Sequence, residues 1–305
     1  MSKEFSIQAQ TVLYHNDTKM LLRSFESLLN SYMVSKEQGG LPTGLCIRYG
    51  DASLEPLFSA EEVKGFADLC PEGCEFYYTY FDENTGTARG HNLLAQDART
   101  DYLFLMNPDV VATPLLFKHL LAPFLDTSRN AGQVEARQTP IEHPKSYDLA
   151  TGETYWASGA GSLLPSSVFE EVGCYDEDSF FMYCDDVDLS ARIRLLGKSI
   201  IYQPQAVMYH AKSLSNQADW QPTSAEKYYS AEAGLMMAYK WSNTRRFHDL
   251  MYSFSKSDNP DFIRAAETIV EKVKNNNMPK QIDPGTKIPI FFDGEGVYAP
   301  HRFSL

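Results

Sequence analysis

The chain has 305 residues, of which 43% are apolar and 22% are charged, and its formal net charge is −13. This composition excludes global disorder and predicts a core large enough for one α/β domain with a smaller appendage, or for two modest domains. The negative charge argues against nucleic-acid binding, which depends on neutralising phosphates. It also argues against broad adsorption to anionic lipid, although a local basic patch could still dock there.

The N-terminus and the cysteines indicate a cytoplasmic protein. Residues 1–10 are polar and lack the apolar run of a signal peptide, and no window approaches the roughly 20 apolar residues that span a bilayer. Five cysteines without a framework spacing are typical of a reducing compartment. Cys70 and Cys74 form a single CxxxC pair. Because a zinc site needs about four ligands, we expect these two to be loop or core cysteines.

The first third of the chain alternates predicted strands with predicted helices. Strands are expected over residues 10–14, 45–49, 75–81 and 102–106. Helices are expected after Asn16 or Asp17, where Leu21, Phe25, Leu28 and Tyr32 recur at helical spacing, then up to about residue 98, and over 113–125. The run at 102–106 (YLFLM) is typical of a central parallel strand. The alternation predicts a parallel, doubly wound sheet, in which ligands bind beyond the carboxyl ends of the strands.

The rest of the chain is less regular. We expect a strand with small residues over 155–161, a helix over 166–172, a helix from the DDVD segment to Gly197, and a strand over 200–202 in a segment that closes at His210. Residues 225–275 follow a mainly helical pattern, and residues 279–305 show no clear period.

Two acidic motifs about 75 residues apart carry the strongest chemical signal: residues 107–109 (NPD) after the central strand, and residues 185–188 (DDVD) at a predicted helix start. Moving a sugar from a nucleoside diphosphate requires a divalent cation or an equivalent positive charge at the leaving diphosphate. It also requires a carboxylate that accepts the proton of the attacking hydroxyl. Singly, each motif could instead end a strand or complement a helix dipole. Together they favour catalysis, with oxygen ligands suited to Mg²⁺ or Mn²⁺.

Three segments resemble family 2 glycosyltransferases of the rhamnosyltransferase-like branch. Residues 180–210 (FFMYCDDVDLSARIRLLGKSIIYQPQAVMYH) are similar to that branch's FFMYxEDxDLxxRxxxxGxxIxYxPxAxxxH. Residues 83–92 (ENTGTARGHN) and 102–110 (YLFLMNPDV) are similar to its ENxGxAxGxN and xxLNPD. The resemblance covers roughly residues 10–215. It implies a GT-A fold, which is a Rossmann-like, mostly parallel sheet flanked by helices, together with a nucleotide-sugar donor, a divalent metal and inversion at the anomeric carbon.

The resemblance also implies roles for individual residues. Asp109 matches the metal-binding carboxylate, and Asn107 replaces the first carboxylate of that element. His210 matches a histidine that completes the metal or diphosphate site, although it could also be a satisfied histidine at a strand end. Asp186 matches the general base. Asp185 stands where the family has Glu, so which of the two carboxylates acts stays open.

Donor and acceptor contacts follow from the same comparison. Donor contacts are expected from Tyr14, His15, Asp51, Asn84, Gly86, Arg89, Asn92 and Asn107. Asp51 lies one position off the family's Asp-Asn-Gly-Ser, so the base-contacting carboxylate is shifted or absent. The segment around Gly86 opens a helix whose N–H groups favour a phosphate, although its glycines could be plain turn residues. Asp188 and Trp156 are assigned to the acceptor side, and Trp156 could equally be a core residue.

Two regions are expected. A catalytic domain covers residues 1–215, with nucleotide-sugar binding in about 1–110 and the acceptor side in about 111–215, and a helical extension with a tail covers 216–305. Basic and aromatic residues interleave in the extension: Arg245, Arg246, Phe247, His248, Tyr252, Phe254 and Lys256. This stretch could contact a membrane surface near a lipid-linked acceptor, form a homodimer contact, or be a solvated helix with a packed aromatic face.

These observations predict an inverting glycosyltransferase of the hexosyltransferase type. It would move a sugar from dTDP-rhamnose or a UDP-sugar to a glycan or lipid-linked glycan in surface polysaccharide synthesis. It would act in the cytoplasm or at the inner face of the cell membrane. One alternative is a sugar-nucleotide pyrophosphorylase, which needs a glycine-rich phosphate loop with a basic residue where this chain has YHND at 14–17. The other is a non-catalytic nucleotide-sugar-binding protein.

Overall fold

The computed structural model describes residues 5–143, 145–211 and 222–282. Strands and helices alternate at first as β1 (Ser6–Leu13), α1 (Thr18–Gly39), β2 (Gly44–Asp51), α2 (Ala60–Asp68), β3 (Cys74–Tyr80), α3 (Gly86–Ala95) and β4 (Tyr102–Met106). The four strands pair in parallel in the order β3-β2-β1-β4. The alternation of predicted elements is therefore confirmed here, and β4 is buried along its whole length.

The second half of the sheet is mixed. Its elements are β5 (Val110–Ala112), α4 (Leu116–Leu125), a 3-10 turn (Thr127–Arg129), β6 (Ala131–Thr139), β7 (Glu153–Thr154), β8 (Gly161–Pro165), α5 (Ser166–Glu171), α6 (Asp185–Leu195) and β9 (Ser199–His210). The sheet continues as β4-β8-β6-β9-β5, and β7 pairs with β9. Strand β8 runs antiparallel to both β4 and β6, whereas β6 and β9 are parallel. The parallel character expected of the sheet thus holds in its first half, and the second half adds antiparallel pairs.

The strand predicted over residues 155–161 is wrong, because β8 begins only at Gly161. Backbone N–H groups that would donate to a neighbouring strand donate to side chains instead. The N–H of Ala157 donates to Ser190 Oγ at 3.1 Å, and the next two N–H groups donate to carboxylates, as described for the site below. The segment is therefore a loop whose backbone is held by side chains of α6 and β6.

Apolar side chains cover both faces of the sheet. One core packs between the sheet and α1, α2 and α4, and it contains the predicted stripe of α1. A second core packs between the opposite face and α3, α5 and α6. Three of the buried side chains of β6 are polar: Gln133, Glu135 and Gln138. Strand β1 also buries polar side chains, including Gln8 and Gln10, so the sheet carries polar groups into its interior on more than one strand.

Three helices follow the sheet: α7 (Ser224–Lys240), α8 (Thr244–Ser255) and α9 (Pro260–Lys274). They pack against α6 through a third apolar cluster that includes Ala191 and Trp241, so the helical extension is confirmed in the described part. Phe247 and Phe254 of α8 pack on this cluster, while the side chain of Arg245 is 91% exposed. The expected boundary at residues 215/216 lies outside the described residues. Within the described ranges, none of the helices combines the length and the apolar character that crossing a bilayer requires.

Candidate active site

Asp51 closes strand β2 and organises the loop that follows it. Its carboxylate is fully buried and accepts the backbone N–H of Ser53 at 2.9 Å and that of Leu57 at 2.7 Å. The hydroxyl of Tyr78 donates to the same group. All of these donors belong to the protein. In this structure Asp51 therefore fixes the backbone of residues 52–57. A direct contact with the nucleotide base stays a prediction that would require this loop to open.

Tyr14 and His15 follow β1 beside that loop. The backbone N–H of His15 donates to Ser53 Oγ at 2.8 Å, and His15 has a positive φ of 52°. The two rings lie edge to face with centroids 4.5 Å apart, and Tyr14 is 47% exposed. Both rings are accessible at the carboxyl end of the sheet, where the sequence predicts the nucleotide base, and that role stays a prediction.

The start of α3 is built by close packing. Gly86 has a φ of +64°, and a Cβ there would lie 2.4 Å from the carbonyl oxygen of Phe181. The N–H of Thr87 donates to the same oxygen at 2.8 Å. Gly90 lies against β1, where a Cβ would meet Val12 Cγ2 at 2.6 Å. The ENTGTARGHN segment therefore joins β1 to the segment that contains Phe181, and its glycines are required for that approach.

The other predicted phosphate contacts in this segment already have protein partners. Asn84 Oδ1 accepts the Gly86 N–H at 3.2 Å. Arg89 pairs with Glu83 at 2.8 Å while its side chain stays 43% exposed. The Asn92 amide donates to the Tyr175 carbonyl at 2.9 Å and accepts the Tyr175 N–H at 2.9 Å. Asn92 is thus a loop anchor in this structure, whereas Arg89 could exchange its partner for a phosphate.

The NPD motif and the end of β9 bring together a carboxylate, an amide and an imidazole. His210 Nε2 lies 3.3 Å from Asp109 Oδ1 and 3.3 Å from Asn107 Nδ2. His210 Nδ1 lies 2.8 Å from Gln138 Oε1. Because an amide oxygen only accepts, Nδ1 is the nitrogen that donates to Gln138, and Nε2 is the nitrogen that faces Asn107 and Asp109. A neutral imidazole held in this way would present the lone pair of Nε2 to a metal.

This donor set suits a divalent cation that is shared with a ligand. An imidazole nitrogen and a carboxylate oxygen together favour Mn²⁺ over Mg²⁺. Among the residues that the structure describes, no group of three or more His, Cys, Asp or Glu side chains could hold a metal. The pair of Asp109 and His210 would therefore supply only part of a coordination sphere, and oxygens of a bound diphosphate and water would complete it.

The DDVD motif opens α6 after a strained turn. Tyr183 and Cys184 both have positive φ values, of 67° and 55°, which non-glycine residues rarely adopt. Asp186 Oδ2 accepts the N–H of Gly159 at 2.9 Å, and its Oδ1 accepts the N–H of Val187 at 2.8 Å. The turn therefore directs Asp186 onto the loop before β8.

The two adjacent carboxylates have different surroundings. Asp185 is 5% exposed, and burial together with the charge of Asp186 raises its pKa to about 8. Burial also raises the pKa of Asp186, but the Gly159 N–H and the charge of Lys145 oppose that change. Burial and the charge of Asp186 thus favour the neutral form of Asp185, whereas the Gly159 N–H and Lys145 favour the ionised form of Asp186. These surroundings distinguish the two carboxylates, and the role of Asp186 as the general base stays a prediction.

Two consecutive residues, Gly159 and Ala160, make backbone hydrogen bonds to both acidic motifs. Gly159 donates its N–H to Asp186 Oδ2 at 2.9 Å, and the next residue, Ala160, accepts the N–H of Asn107 at 3.2 Å through its carbonyl. Consecutive Cα atoms are only about 3.8 Å apart. The backbone of Asn107 and the carboxylate of Asp186 therefore contact neighbouring residues of one short segment, which brings the two acidic motifs close together.

The acceptor-side prediction needs a correction at Asp188. This side chain is fully buried and pairs with Arg192 at 2.8 Å and Lys240 at 2.6 Å. It also accepts the indole N–H of Trp241 at 3.0 Å. Three donors and no exposed surface leave Asp188 no contact for a substrate, so it connects α6 to α7.

Trp156 is half-buried, with one ring face covered by a cation. Lys145 Nζ lies 3.5 Å from the ring centre and donates to the Trp156 carbonyl oxygen at 2.9 Å. The same ammonium pairs with Glu135 Oε1 at 2.7 Å. A stacking role towards an acceptor sugar stays a prediction.

Sequence reasoning missed Gln138, Glu135 and Lys145. The sequence gives no direct signal for them, because polar residues in an unassigned segment are normally exposed. An alternation of apolar and polar residues over 131–139 would at least have predicted a strand, and β6 places both Glu135 and Gln138 next to the acidic motifs.

Comparison with known proteins identifies the fold of this chain. No family model matches the chain. A 64-residue segment is 41% identical to an N-acetylglucosaminyl-diphospho-decaprenol L-rhamnosyltransferase of Mycobacterium tuberculosis, covering 21% of this chain and 20% of that protein. Rhamnosyltransferase WbbL of Escherichia coli is 26% identical over 135 residues, covering 35% of this chain and 51% of that protein. The chain thus matches a fifth of the first relative's length and about half of the second's.

Solved structures match over most of the chain. GalNAc-T7 with UDP, GalNAc and Mn²⁺ has a TM-score of 0.62 at 13% identity, covering 91% of this chain and 56% of that chain. Mannosyltransferase PcManGT from Pyrobaculum calidifontis, in complex with GDP-Man and Mn²⁺, has a TM-score of 0.59 at 13% identity, covering 90% and 76%. This chain has the GT-A glycosyltransferase fold, and over the matched segments it resembles family 2 rhamnosyltransferases.

Proposed function

We propose that this protein is a metal-assisted, inverting glycosyltransferase that moves a sugar from a nucleoside diphosphate donor onto a hydroxyl group. The observation that carries the proposal is the Gly159–Ala160 segment: the N–H of Gly159 donates to the general-base candidate Asp186, and the carbonyl of Ala160 accepts the N–H of Asn107. Donor activation and proton removal must occur on opposite sides of one sugar, and the closeness of the two acidic motifs supports these two roles.

Asp109 and His210 would hold a divalent cation together with the donor's diphosphate. When bound, the cation stabilises the negative charge that develops on the leaving diphosphate. Gln138 keeps the imidazole of His210 in the required tautomer. Both solved relatives named above contain Mn²⁺ and either a nucleotide or a nucleotide sugar, which supports a donor of this class.

Asp186 would accept the proton of the acceptor hydroxyl as that oxygen attacks the anomeric carbon. The new C–O bond forms while the bond to the diphosphate breaks, and the electron pair of that bond leaves with the diphosphate. A single displacement inverts the anomeric carbon. The ionised state of Asp186 is favoured by the N–H groups that it accepts and by the nearby ammonium of Lys145.

The donor and acceptor can be proposed at a finer level from the names of the relatives. Rhamnose from dTDP-rhamnose is the first candidate for the donor, with UDP-sugars as the comparison. The acceptor would be a glycan or a lipid-linked glycan in surface polysaccharide synthesis. Helix α8 carries exposed basic residues, such as Arg245. These residues would suit a contact between α8 and the membrane surface, or a homodimer contact.

A donor panel tests this proposal. The protein is incubated with dTDP-rhamnose, UDP-sugars or GDP-sugars and Mn²⁺, with and without glycan acceptors, and nucleoside diphosphate release is measured. We expect release from one donor that depends on Mn²⁺, increases with an acceptor and is lost in Asp186→Asn. Formation of a nucleotide sugar from UTP and a sugar-1-phosphate would show a pyrophosphorylase instead. Donor binding without any turnover would show a binding protein.

A further inference from the structure

A buried ion pair lies directly behind the loop that contacts Asp186. Glu135 of β6 and Lys145 pair at 2.7 Å, and their side chains are only 1% and 2% exposed. Removing two charges from water is costly, and a buried pair is often no more stabilising than apolar residues of the same size. Stability alone therefore does not explain why this pair lies beside the candidate active site.

Both side chains of the ion pair make hydrogen bonds to the backbone of the loop at 156–159. Lys145 Nζ donates to the Trp156 carbonyl at 2.9 Å and covers one face of the Trp156 ring. Glu135 Oε1 accepts the N–H of Ser158 at 3.2 Å. The N–H of the next residue, Gly159, is the donor to Asp186 Oδ2. Both members of the pair thus fix the backbone that reaches the general-base candidate.

We propose that Glu135 and Lys145 are positioning residues for Asp186: they fix the loop at 156–159 so that the Gly159 N–H aims the carboxylate at the acceptor hydroxyl. This proposal rests on the proposed function. Neither residue touches the reacting atoms, and their effect passes through Gly159 and through their charges.

The charges of the pair act on Asp186 in opposite directions. Lys145 lowers the pKa of Asp186, and Glu135 raises it. The titratable and charged groups that act on Asp186 are Asp185 and Cys184 around the start of α6, Tyr175 in the preceding loop, Glu135 of β6, and Lys145. Because the two charges have opposite signs, removing Lys145 should raise the pKa of Asp186 and removing Glu135 should lower it. A general loss of fold stability would not shift this pKa in opposite directions in the two variants.

Two single variants test the proposal through the pH dependence of kcat/KM for the acceptor, whose acid limb reports the free base. Lys145→Met is expected to move that limb to higher pH, and Glu135→Gln, which keeps the hydrogen-bond acceptor, to lower pH, each by about half a pH unit or more. We expect kcat to fall about ten-fold or more in Lys145→Met, while the KM for the donor stays near that of the wild type. Leu28→Ala, in the distant core around α1, is the control for lost stability.

Several results would overturn the proposal. A wild-type acid limb in both variants, or a shift in the same direction in both, would reduce the pair to a purely structural role. If Lys145→Met does not fold, Glu135→Gln decides alone, because it keeps the shape of the side chain. Hydrogen exchange at the Gly159 amide gives a readout without turnover: we expect faster exchange in Lys145→Met than in Leu28→Ala, and equal rates would contradict the positioning role. An inactive wild-type protein, or an active Asp186→Asn, would instead reject the proposed function.

Discussion

Asp185 has the most perturbed environment of the acidic residues at the start of α6, and its protonation should affect stability. Its pKa is raised from 3.8 to about 8, chiefly by burial. A group whose pKa is higher in the folded state stabilises the fold below its unfolded pKa, and this stabilisation is lost as the pH rises through the folded pKa. We therefore expect the Tm of the wild type to fall between pH 3.8 and about pH 8 more than that of Asp185→Asn. Asp68→Asn, at an exposed position, should follow the wild type, and parallel curves for Asp185→Asn would show that Asp185 is not buried as a neutral acid.

The His210 site makes a second prediction at the level of single residues. Asp109→Ala removes a ligand, and we expect turnover to fall by about two orders of magnitude, or about 3 kcal/mol in the barrier. Gln138→Leu keeps both ligands but removes the partner of Nδ1, and we expect the affinity for Mn²⁺ to fall about 10-fold to 100-fold. Titration of Mn²⁺ in the presence of a nucleoside diphosphate measures both effects. Turnover that survives Asp109→Ala and EDTA would contradict metal assistance.

At the scale of elements, α3 depends on a glycine that lets another segment approach. Gly86 has a positive φ, and a Cβ there would meet the Phe181 carbonyl at 2.4 Å. We expect Gly86→Ala to lower the free energy of unfolding by about 1–3 kcal/mol. Gly65→Ala in α2, where nothing lies within 4 Å of a new Cβ, should instead raise it by about 0.5–1 kcal/mol. Urea unfolding compares the two, and equal effects would show that Gly86 is only a turn residue.

The elements also show what the sequence could and could not predict. Strands β2 to β4 follow from runs of apolar and aromatic residues between helices. The sequence predicts β1 only from residue 10, because its first half carries the buried polar residues Gln8 and Gln10. Strand β6 was missed because its buried side chains include Glu135, which pairs with Lys145 in an unassigned segment, and Gln138, whose partner His210 lies 72 residues away. The loop at 157–159 was predicted as a strand because small residues do not reveal that their N–H groups are used by side chains. In both cases the prediction fails because the hydrogen-bond partners lie far apart in the chain: Gln138 with His210, and Gly159 with Asp186.

At the scale of the whole molecule, Asp188 joins the sheet region to the helical extension. It connects α6 to Lys240 and Trp241 of the segment that ends α7. Removing one member of a buried pair typically costs about 3–5 kcal/mol, so we expect Asp188→Ala to lower the free energy of unfolding by about that amount. Asp249→Ala, in the exposed pair with Arg245, should change it little. A stable Asp188→Ala protein with a raised KM for the acceptor would restore the acceptor role predicted from the sequence.

Substitution of Asp186 tests the proposed general base most directly. We predict that Asp186→Asn, which keeps the shape of the side chain and removes its basicity, lowers kcat for transfer by about 100-fold or more and leaves donor affinity within a few-fold of the wild type. Asp185→Asn should be milder, because burial and the charge of Asp186 favour the neutral form of Asp185. The measurement is kcat for sugar transfer together with the donor dissociation constant for the three proteins. An inactive Asp185→Asn beside a near-normal Asp186→Asn would reverse the two roles, and full activity in both variants would contradict the catalytic assignment.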